Sequence, residues 1–240
     1  MVDPNQLAIR ADSLSKRFGK VKALDAVSFE LPRGAFLSVF GSNGAGKTTL
    51  LRLLATLERP STGTATVLGY DLRQEAEALR GRIGVISHRS MLYPDMTAHE
   101  NLMFFARLYG VAEPAARVGE LLESVELSSR SHDPVRTFSR GMTQRLAIAR
   151  ALVNDPELML LDEPYAGLDL RAMSIFDGMI DRIRPGRSFL MVSHDLELGF
   201  RRASHVMVLS AGRLVMFADK DEFDLTGFAG FVESVQGGGI

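Results

Sequence analysis

An apolar run, a glycine-rich loop and a leucine-rich segment, in that order, place the strongest constraint on how this chain folds. The run Ala35–Phe40 reads AFLSVF, the loop Gly41–Thr48 reads GSNGAGKT, and the segment Lys47–Leu57 has leucines at helical spacing. The loop fits the pattern G-x-x-x-x-G-K-[ST] without exception. Glycines allow backbone N–H groups to curl around phosphate oxygens, and the N-terminus of the following helix attracts the same anion. The sequence therefore predicts a strand, a phosphate-binding loop and a helix.

The loop supplies most of the candidate nucleotide-binding residues. They are Gly41, Ser42, Asn43, Gly44, Ala45, Gly46, Lys47, Thr48 and Thr49. The amine of Lys47 suits the β- and γ-phosphates, and the hydroxyl of Thr48 suits Mg²⁺. The alternative is an ordinary glycine-rich turn, which the flanking strand and helix disfavour.

A second candidate site follows the apolar run Leu158–Leu161, where two adjacent carboxylates, Asp162 and Glu163, stand. In open α/β sheets ligands bind at the carboxyl ends of the strands. There Asp162 would hold Mg²⁺, and Glu163 would orient or deprotonate an attacking water molecule. The alternative is a strand that ends at a solvated acidic turn.

The remaining pattern alternates between short apolar runs and helical segments. We expect strands at Leu7–Leu14, Leu24–Leu31, Gly63–Val67, Arg82–Ser87 and Phe189–Val192, and helices at Asp71–Leu79, Met142–Val153 and across most of Thr97–Asn154. Thr97 and Glu100 match a capping box. Such alternation predicts an α/β fold whose parallel sheet is covered on both faces, with a helical insertion.

Composition narrows the possible functions of the chain. Hydrophobic residues make up 46% of its 240 residues, which is enough for a sizeable core. The formal net charge is −1 and cysteine is absent, so we expect no nucleic-acid partner, and disulfides and thiolate metal sites are excluded. We see no secretory signal and no apolar run of the roughly 18 residues needed to span a membrane.

The segment Phe138-Ser139-Arg140-Gly141-Met142, here called the serine turn, resembles the signature of the ATP-binding-cassette (ABC) ATPases. With the motifs above it falls in family order along nearly the whole chain. Ser139 and Gly141 match the family pattern and would meet a γ-phosphate, whereas Arg140 replaces its first glycine and Met142 its glutamine. The alternative is that Ser139 only caps the helix that follows.

The resemblance implies an α/β fold: a P-loop NTPase (RecA-like) core with a parallel sheet, an antiparallel β subdomain and an inserted helical subdomain. It implies one ATP-binding domain over residues 7–235, with the helical subdomain inserted at about 90–155. We expect residues 236–240 to form a flexible tail.

Weaker resemblances add four further features to the site. Ala166-Gly167-Leu168-Asp169 is similar to the family's D-loop, which crosses the dimer interface. His194 lies where the family has a histidine that contacts the γ-phosphate, and Phe18 lies where an aromatic ring stacks on adenine. His88 replaces the Q-loop glutamine and would act through water or as a hydrogen-bond donor. The alternatives are a surface His194, a core Phe18 and an exposed loop His88.

The family resemblance implies an ATPase that uses ATP with Mg²⁺ as the motor subunit of a transporter, with Glu163, His194 and His88 as catalytic residues. The phosphate loop of one copy and the serine turn of another would bind the same ATP. We therefore expect a dimer, most simply a homodimer, although a related cassette could be the partner. An integral membrane permease would dock near residues 88–101, where Met91–Met96 is apolar, although this loop could instead pack on its own subdomain. The chain would lie in the cytoplasm, peripheral to the membrane.

The resemblance leaves the cargo open. The stretch 86–102 resembles cassettes assigned to haem export in cytochrome c maturation, but an exporter of drugs, lipids or polysaccharide fits as well. One rival function is a soluble ABC ATPase without a membrane partner. Another is a different P-loop enzyme such as a nucleoside kinase or a GTPase, although the guanine-reading tetrad N-K-x-D does not occur.

Overall fold

Two β-sheets and eight α-helices make up the computed structural model, which describes residues 6–87 and 90–237. Within that part, the first half of the chain forms β1 (Leu7–Phe18), β2 (Val21–Pro32), β3 (Phe36–Phe40), α1 (Lys47–Leu54), β4 (Thr62–Val67), β5 (Tyr70–Asp71), α2 (Ala76–Arg80), β6 (Ile83–Ile86), α3 (Ala98–Leu108) and α4 (Pro114–Ser124). The second half forms α5 (Arg140–Ala151), β7 (Leu158–Asp162), α6 (Leu170–Ile183), β8 (Ser188–Val192), α7 (Leu196–Arg202), β9 (His205–Ser210), β10 (Arg213–Asp219) and α8 (Leu225–Gln236).

The larger sheet has six strands in the order β10-β9-β3-β8-β7-β6. All its neighbours pair in parallel except β10, which is antiparallel to β9. The carboxyl ends of β3, β6, β7 and β8 therefore meet at one edge of the sheet. The phosphate loop follows β3, Glu163 follows β7 and His194 follows β8, all at this edge. The sheet topology therefore brings the predicted site residues together.

The smaller sheet is antiparallel, in the order β2-β1-β4-β5. It shares a core with α1 and with one face of the parallel sheet, while α3 to α6 cover the opposite face. Alternate residues of β7 serve the two cores: Leu158 and Leu160 point to the first, and Met159 and Leu161 to the second. The expected α/β fold with a parallel sheet is confirmed, and the described residues include the antiparallel β subdomain and a group of helices between β6 and β7.

The helices predicted from Asp71 and from Lys47 differ from the structure in their bounds. Asp71, the first residue of one predicted helix, instead ends β5. Its carboxylate accepts hydrogen bonds from the backbone N–H groups of Arg73 (2.8 Å) and Gln74 (2.9 Å) and so forms a turn. The helix starts only at Ala76. Helix α1 ends at Leu54 rather than Leu57, since Thr56 takes a left-handed conformation with φ of 57°.

The structure also tests the predicted starts of α3 and α5 and the predicted tail. The capping box at Thr97 is confirmed: its hydroxyl accepts from the Glu100 N–H, and the Glu100 carboxylate accepts from the Thr97 N–H at 2.8 Å. Helix α5 begins at Arg140 with Ser139 as its N-cap, two residues earlier than predicted. Helix α8 continues to Gln236, the first residue of the predicted tail. Residues 238–240 lie outside the described residues.

Gly84→Ala should destabilise the fold by about 1–3 kcal/mol, because β6 packs directly on the end of α5. A Cβ at Gly84 would lie 2.4 Å from the Ala151 carbonyl oxygen and 2.5 Å from the Met159 sulfur. The matched control is Gly119→Ala in the interior of α4, where a Cβ meets nothing within 4 Å. There we expect a gain of about 0.5–1 kcal/mol from higher helix propensity. Urea unfolding measures both, and equal free energies of unfolding would contradict the packing argument.

Candidate functional site

The phosphate loop joins β3 to α1 in a conformation that requires glycine at two positions. Gly41 has φ of 146°, and a Cβ there would lie 2.2 Å from the Leu209 carbonyl oxygen. Gly46 has φ of 103°, and a Cβ there would lie 2.5 Å from the Ala23 carbonyl oxygen. Residues with a Cβ rarely adopt such angles. The loop therefore lies tightly against β9 and β2, and its shape depends on those neighbouring strands.

Lys47 lies inside this loop and is 6% exposed. Its Nζ donates to the carbonyl oxygens of Gly41 at 2.7 Å and Ser42 at 3.0 Å. Burial lowers the pKa of the Lys47 amine, although the nearby charges of Glu163 and Asp162 oppose the shift. The loop thus holds a cation at its centre, where an anionic phosphate would restore its charge balance.

Thr48 and Asp162 bring a hydroxyl and a carboxylate together beside the loop. The Thr48 hydroxyl donates to Asp162 Oδ1 at 3.3 Å. Asp162 ends β7 and is nearly buried. Hard oxygen donors of this kind suit Mg²⁺. Within residues 6–87 and 90–237, no three His, Cys, Asp or Glu side chains converge on one point. Mg²⁺ held by Thr48 and Asp162 would therefore need further ligands from phosphate and water.

Glu163 follows β7 in a left-handed conformation with φ of 52°, which is uncommon for a residue with a side chain. Its backbone N–H donates to the Val192 carbonyl at 3.0 Å, so the residue is fixed to the end of β8. This strand-to-strand bond aims the carboxylate across the edge of the sheet toward His194. Strain of this kind is found at functional sites and persists because the surroundings hold it.

The carboxylate of Glu163 contacts His194 on both oxygens. Oε2 accepts from the His194 backbone N–H at 3.1 Å, and the His194 ring nitrogen Nε2 lies 3.3 Å from Oε1. That second contact lacks hydrogen-bond geometry, and Oε1 is buried without a hydrogen bond among the described residues. Burial raises the pKa of the Glu163 carboxyl, with a contribution from Asp162, while His194 and Lys47 act against it. A buried acceptor with spare capacity is suited to take a proton from water.

Of these residues, Gly46, Lys47, Thr48, Glu163 and His194 line a cavity of about 370 Å³. Phe18 lies at the cavity with 47% of its surface exposed, and the Lys16 amine lies 4.8 Å from its ring centroid. Three further lining residues, Val21, Lys22 and Ala23, were missed by the sequence motifs. They begin β2, which pairs with β1 after the turn at residues 19–20, and the tertiary structure brings them to the loop. The described lining residues are Phe18, Val21–Ala23, Asn43–Thr49, Glu163 and His194.

The serine turn is not part of this cavity. Among the described residues, neither Ser139 nor Gly141 lines it. Ser139 is exposed and caps α5, its hydroxyl oxygen accepting from the Met142 N–H at 3.3 Å. The capping alternative is therefore present in the structure, and it does not exclude a second role for the hydroxyl proton. His88 lies outside the described residues, so its predicted role stays a prediction.

Comparison with protein families matches residues 24–166 to the family described as ABC transporter, which is more than half of the chain. The chain belongs to this family. It is 38% identical to the daunorubicin resistance ATP-binding protein DrrA3 of Streptomyces coeruleorubidus over 218 residues, covering 90% of this chain and 69% of that protein. It is 39% identical to the ABC transporter ATP-binding protein NatA of Bacillus subtilis, covering 81% of each.

Solved structures of ABC ATPases share the fold. An ATP-binding subunit of an ABC transporter superposes with a TM-score of 0.82 at 28% identity, covering 90% of this chain and 91% of that one. A dimeric ATP-binding cassette in a post-hydrolysis state with ADP and Pi has a TM-score of 0.80 at 25% identity, covering 88% and 98%. This chain is an ABC transporter ATP-binding subunit, and it binds and hydrolyses ATP with Mg²⁺ as cofactor.

The site of this ABC ATPase fits both ATP and Mg²⁺. The buried Lys47 amine, which donates to two loop carbonyls, can also meet phosphate oxygens, and the cavity extends from the loop to Phe18. Thr48 and Asp162 are the residues that would hold the metal ion. Bound there, Mg²⁺ would neutralise negative charge on the β- and γ-phosphates.

The pKa of the Glu163 carboxyl is raised above the ordinary glutamate value of 4.5. As the pH is lowered, we therefore expect ATP turnover to fall at a pH above 4.5. A carboxylate accepts a proton only when ionised, so the rate falls as the pH drops through its pKa. The measurement is kcat against pH for the wild type and His88→Gln. Because His88 is the other titratable residue predicted beside the attacking water, an acid limb that persists in the variant does not come from the histidine and agrees with Glu163. A limb that vanishes in His88→Gln would assign it to the histidine instead.

Proposed function

We propose that this ABC ATPase powers export as part of a dimer in which one copy's phosphate loop and the other copy's serine turn enclose the same ATP. The observation that carries the proposal is their separation within one copy. The cavity around Lys47 and Glu163 is open, and the described residues that line it include none from the serine turn. A second copy, packed head to tail, would complete the site.

The serine turn is suited to bind a phosphate from outside its own copy. It begins the 12-residue helix α5, whose first N–H groups and dipole favour an anion. The Ser139 oxygen accepts from Met142, which leaves its hydroxyl proton free to be donated. Ser139 is exposed, so a partner's nucleotide could reach it.

In this proposal four side chains of the open cavity have distinct roles. Lys47 and the loop N–H groups hold the phosphates, and Phe18 stacks on the adenine ring. Glu163 orients the attacking water and accepts its proton at the carboxylate, most directly at Oε1, while His194 fixes that carboxylate through its backbone N–H. These roles for Glu163, His194, Ser139 and Phe18 are proposals.

Export is supported by the names of similar proteins. One relative is the Nod factor export ATP-binding protein I of Cupriavidus metallidurans, 38% identical over 85% of this chain and 68% of that protein. Another is the daunorubicin resistance protein reported above. In the described part of the chain, no helix is both long and apolar enough to span a bilayer. We propose that a membrane permease supplies the translocation path.

A groove beside the helical insertion is the proposed docking surface for that permease on the cytoplasmic face of the membrane. It encloses about 490 Å³ between Leu57 and Gly84 on one side and Met91, Leu108 and Tyr109 on the other. Met91 is 40% exposed and Tyr93, beside the groove, is 47% exposed. Exposed apolar groups of this kind mark interaction sites. An apolar segment of the permease is the occupant that we propose.

The membrane partner and the cargo stay as predictions. The alternative to the proposed permease complex is that the chain acts without a membrane partner, and co-purification with an integral membrane protein would separate the two. The prediction that the cargo is haem depends on a resemblance over residues 86–102, and His88 in that stretch lies outside the described residues. The relatives named above carry other cargo in their names, or none.

ATP should convert the Glu163→Gln variant from a monomer to a dimer, because the carboxamide keeps the site's shape but cannot accept the proton that hydrolysis requires. Light scattering with and without ATP and Mg²⁺ measures the mass. Adding Ser139→Glu should keep the variant monomeric, since a carboxylate would repel the partner's phosphates. Ser234→Glu on α8, also exposed, is the matched control and should still dimerise. If the Glu163→Gln single variant stayed monomeric with ATP and Mg²⁺, the proposed function would be contradicted.

A further inference from the structure

Arg140, the residue directly after Ser139, reaches out of its own helix to the loop that follows Glu163. This loop, Pro164–Leu168, is here called the carboxylate loop. Arg140 Nη2 donates to the Ala166 carbonyl oxygen at 3.1 Å. The guanidinium also lies directly against Gly167: a Cβ built there would be 2.0 Å from Arg140 Cζ and 2.2 Å from each Nη. The arginine thus occupies the space that a side chain at position 167 would need.

A second side chain of α5 makes a parallel contact. Gln144 lies one turn after Arg140 on the same face of the helix, and its Nε2 donates to the Pro164 carbonyl oxygen at 3.1 Å. Two donors from one helix face therefore hold two carbonyls of the carboxylate loop. The ABC pattern has glycine where Arg140 stands, and glycine has no side chain to make the first of these contacts.

The carboxylate loop is short and held at both ends. Glu163, in its left-handed conformation, precedes it, and Asp169 follows it as the N-cap of α6, accepting from the Ala172 N–H at 2.8 Å. Gly167 itself has φ of +72°. The Ala166 N–H also donates to the Glu163 carbonyl oxygen at 3.1 Å, so the backbone of the carboxylate loop is hydrogen-bonded directly to Glu163.

We propose that Arg140 is a positioning residue that ties the serine turn to the carboxylate loop, so that engagement of Ser139 by a second copy's nucleotide sets Glu163 in its own copy. This inference rests on the proposed function. The planar guanidinium is essential to it, because it stacks on the glycine backbone while donating to a carbonyl, which a lysine ammonium cannot do. The competing role is electrostatic: Arg140 would simply add a positive charge for the partner's phosphate.

Hydrogen–deuterium exchange of the nucleotide-free protein tests the contact without any dimer. The N–H groups of Ala166 and Leu168 are hydrogen-bonded inside the loop, to the carbonyls of Glu163 and Tyr165, and report its stability. We expect their exchange to speed about tenfold or more in Arg140→Ala and in Arg140→Lys. Arg10→Ala, which removes an exposed arginine from β1, is the matched control and should change nothing there. Unchanged exchange in both Arg140 variants overturns the proposal.

Steady-state kinetics tests the consequence. We expect kcat to fall several-fold in both Arg140→Ala and Arg140→Lys, with the KM for ATP within about twofold of wild type. A KM that rises in Arg140→Ala and recovers in Arg140→Lys would show a charge effect on the phosphate and overturn the proposal. So would faster exchange with an unchanged kcat, since the contact would then not reach Glu163.

A double-mutant comparison addresses the shared space. Gly167→Ala should displace the guanidinium, so it should lower kcat less in Arg140→Ala than in the wild type, while the strain of a Cβ at φ of +72° remains in both backgrounds. Additive effects would contradict the contact. If Glu163→Gln did not form a dimer with ATP, the proposed function would be contradicted. The exchange experiment, which needs no dimer, would still decide whether Arg140 holds the carboxylate loop. The two failures are therefore distinguishable.

Discussion

Replacing Glu163 by glutamine should lower the ATP turnover number by about 10²–10⁴-fold while ATP still binds. The carboxylate accepts the His194 backbone N–H at Oε2 and leaves Oε1 buried without a hydrogen bond in the described structure. A glutamine has nearly the same shape and can keep the first contact, but it cannot take a proton from water. The loss should therefore fall on kcat and leave nucleotide affinity within a few-fold of wild type. Phosphate release and titration with a fluorescent ATP analogue measure the two quantities.

The control for this substitution is Glu120→Gln, which neutralises an exposed carboxylate on α4 whose side chain is 68% accessible. We expect its turnover to match wild type. Turnover of Glu163→Gln within tenfold of wild type would show that another group accepts the proton. A loss of ATP binding in that variant would show that Glu163 acts on the nucleotide rather than on water.

Replacing Lys47 by alanine should weaken ATP binding by about 30-fold or more, which corresponds to the roughly 2–5 kcal/mol expected when one partner of a buried charge pair is removed. The amine is buried at the centre of the phosphate loop, with two backbone carbonyls as hydrogen-bond acceptors. Without it, the phosphates would face those carbonyls and the carboxylates of Asp162 and Glu163 with no cation between them. Isothermal titration with ATP and Mg²⁺ measures the loss.

Lys20→Ala is the matched control for Lys47, because Lys20 is exposed in the turn after β1 and does not line the cavity. Its affinity should stay within about twofold of wild type. The Lys47 variant must also be shown to fold, which circular dichroism and a thermal unfolding curve can establish. A folded Lys47→Ala protein that binds ATP as tightly as wild type would contradict the assignment of the loop.

Motifs predicted the site residues that are close in sequence, because their chemistry is local. Glycine freedom and a lysine at fixed spacing make a phosphate loop wherever a strand and a helix flank them. The capping box at Thr97 was predictable for the same reason, since both of its hydrogen bonds lie within four residues. The predicted start of the helix at Asp71 was wrong because the Asp71 carboxylate accepts hydrogen bonds from the backbone two and three residues on and forms a turn, which hydrophobic periodicity does not reveal.

Contacts between distant segments could not be read from the motifs. The Ala23 carbonyl that makes a side chain impossible at Gly46 belongs to β2, and the Val192 carbonyl that fixes Glu163 belongs to β8. Arg140 looked only like a departure from a family pattern, whereas the structure places its guanidinium in the space above Gly167. Each of these contacts depends on which strands and helices are neighbours in space.

The sequence by itself determined that this chain has a phosphate-binding loop, a carboxylate pair after a buried strand and an α/β fold, because glycine conformation, side-chain charge and hydrophobic period act over a few residues. Only the tertiary structure decided that Lys47, Thr48, Glu163 and His194 line one cavity, that Asp162 accepts from Thr48 beside it, and that the serine turn lies outside it. The physical reason is that parallel strands align their carboxyl ends at one edge of a sheet. Sheet order, which is set by long-range packing, determines which loops meet at that edge.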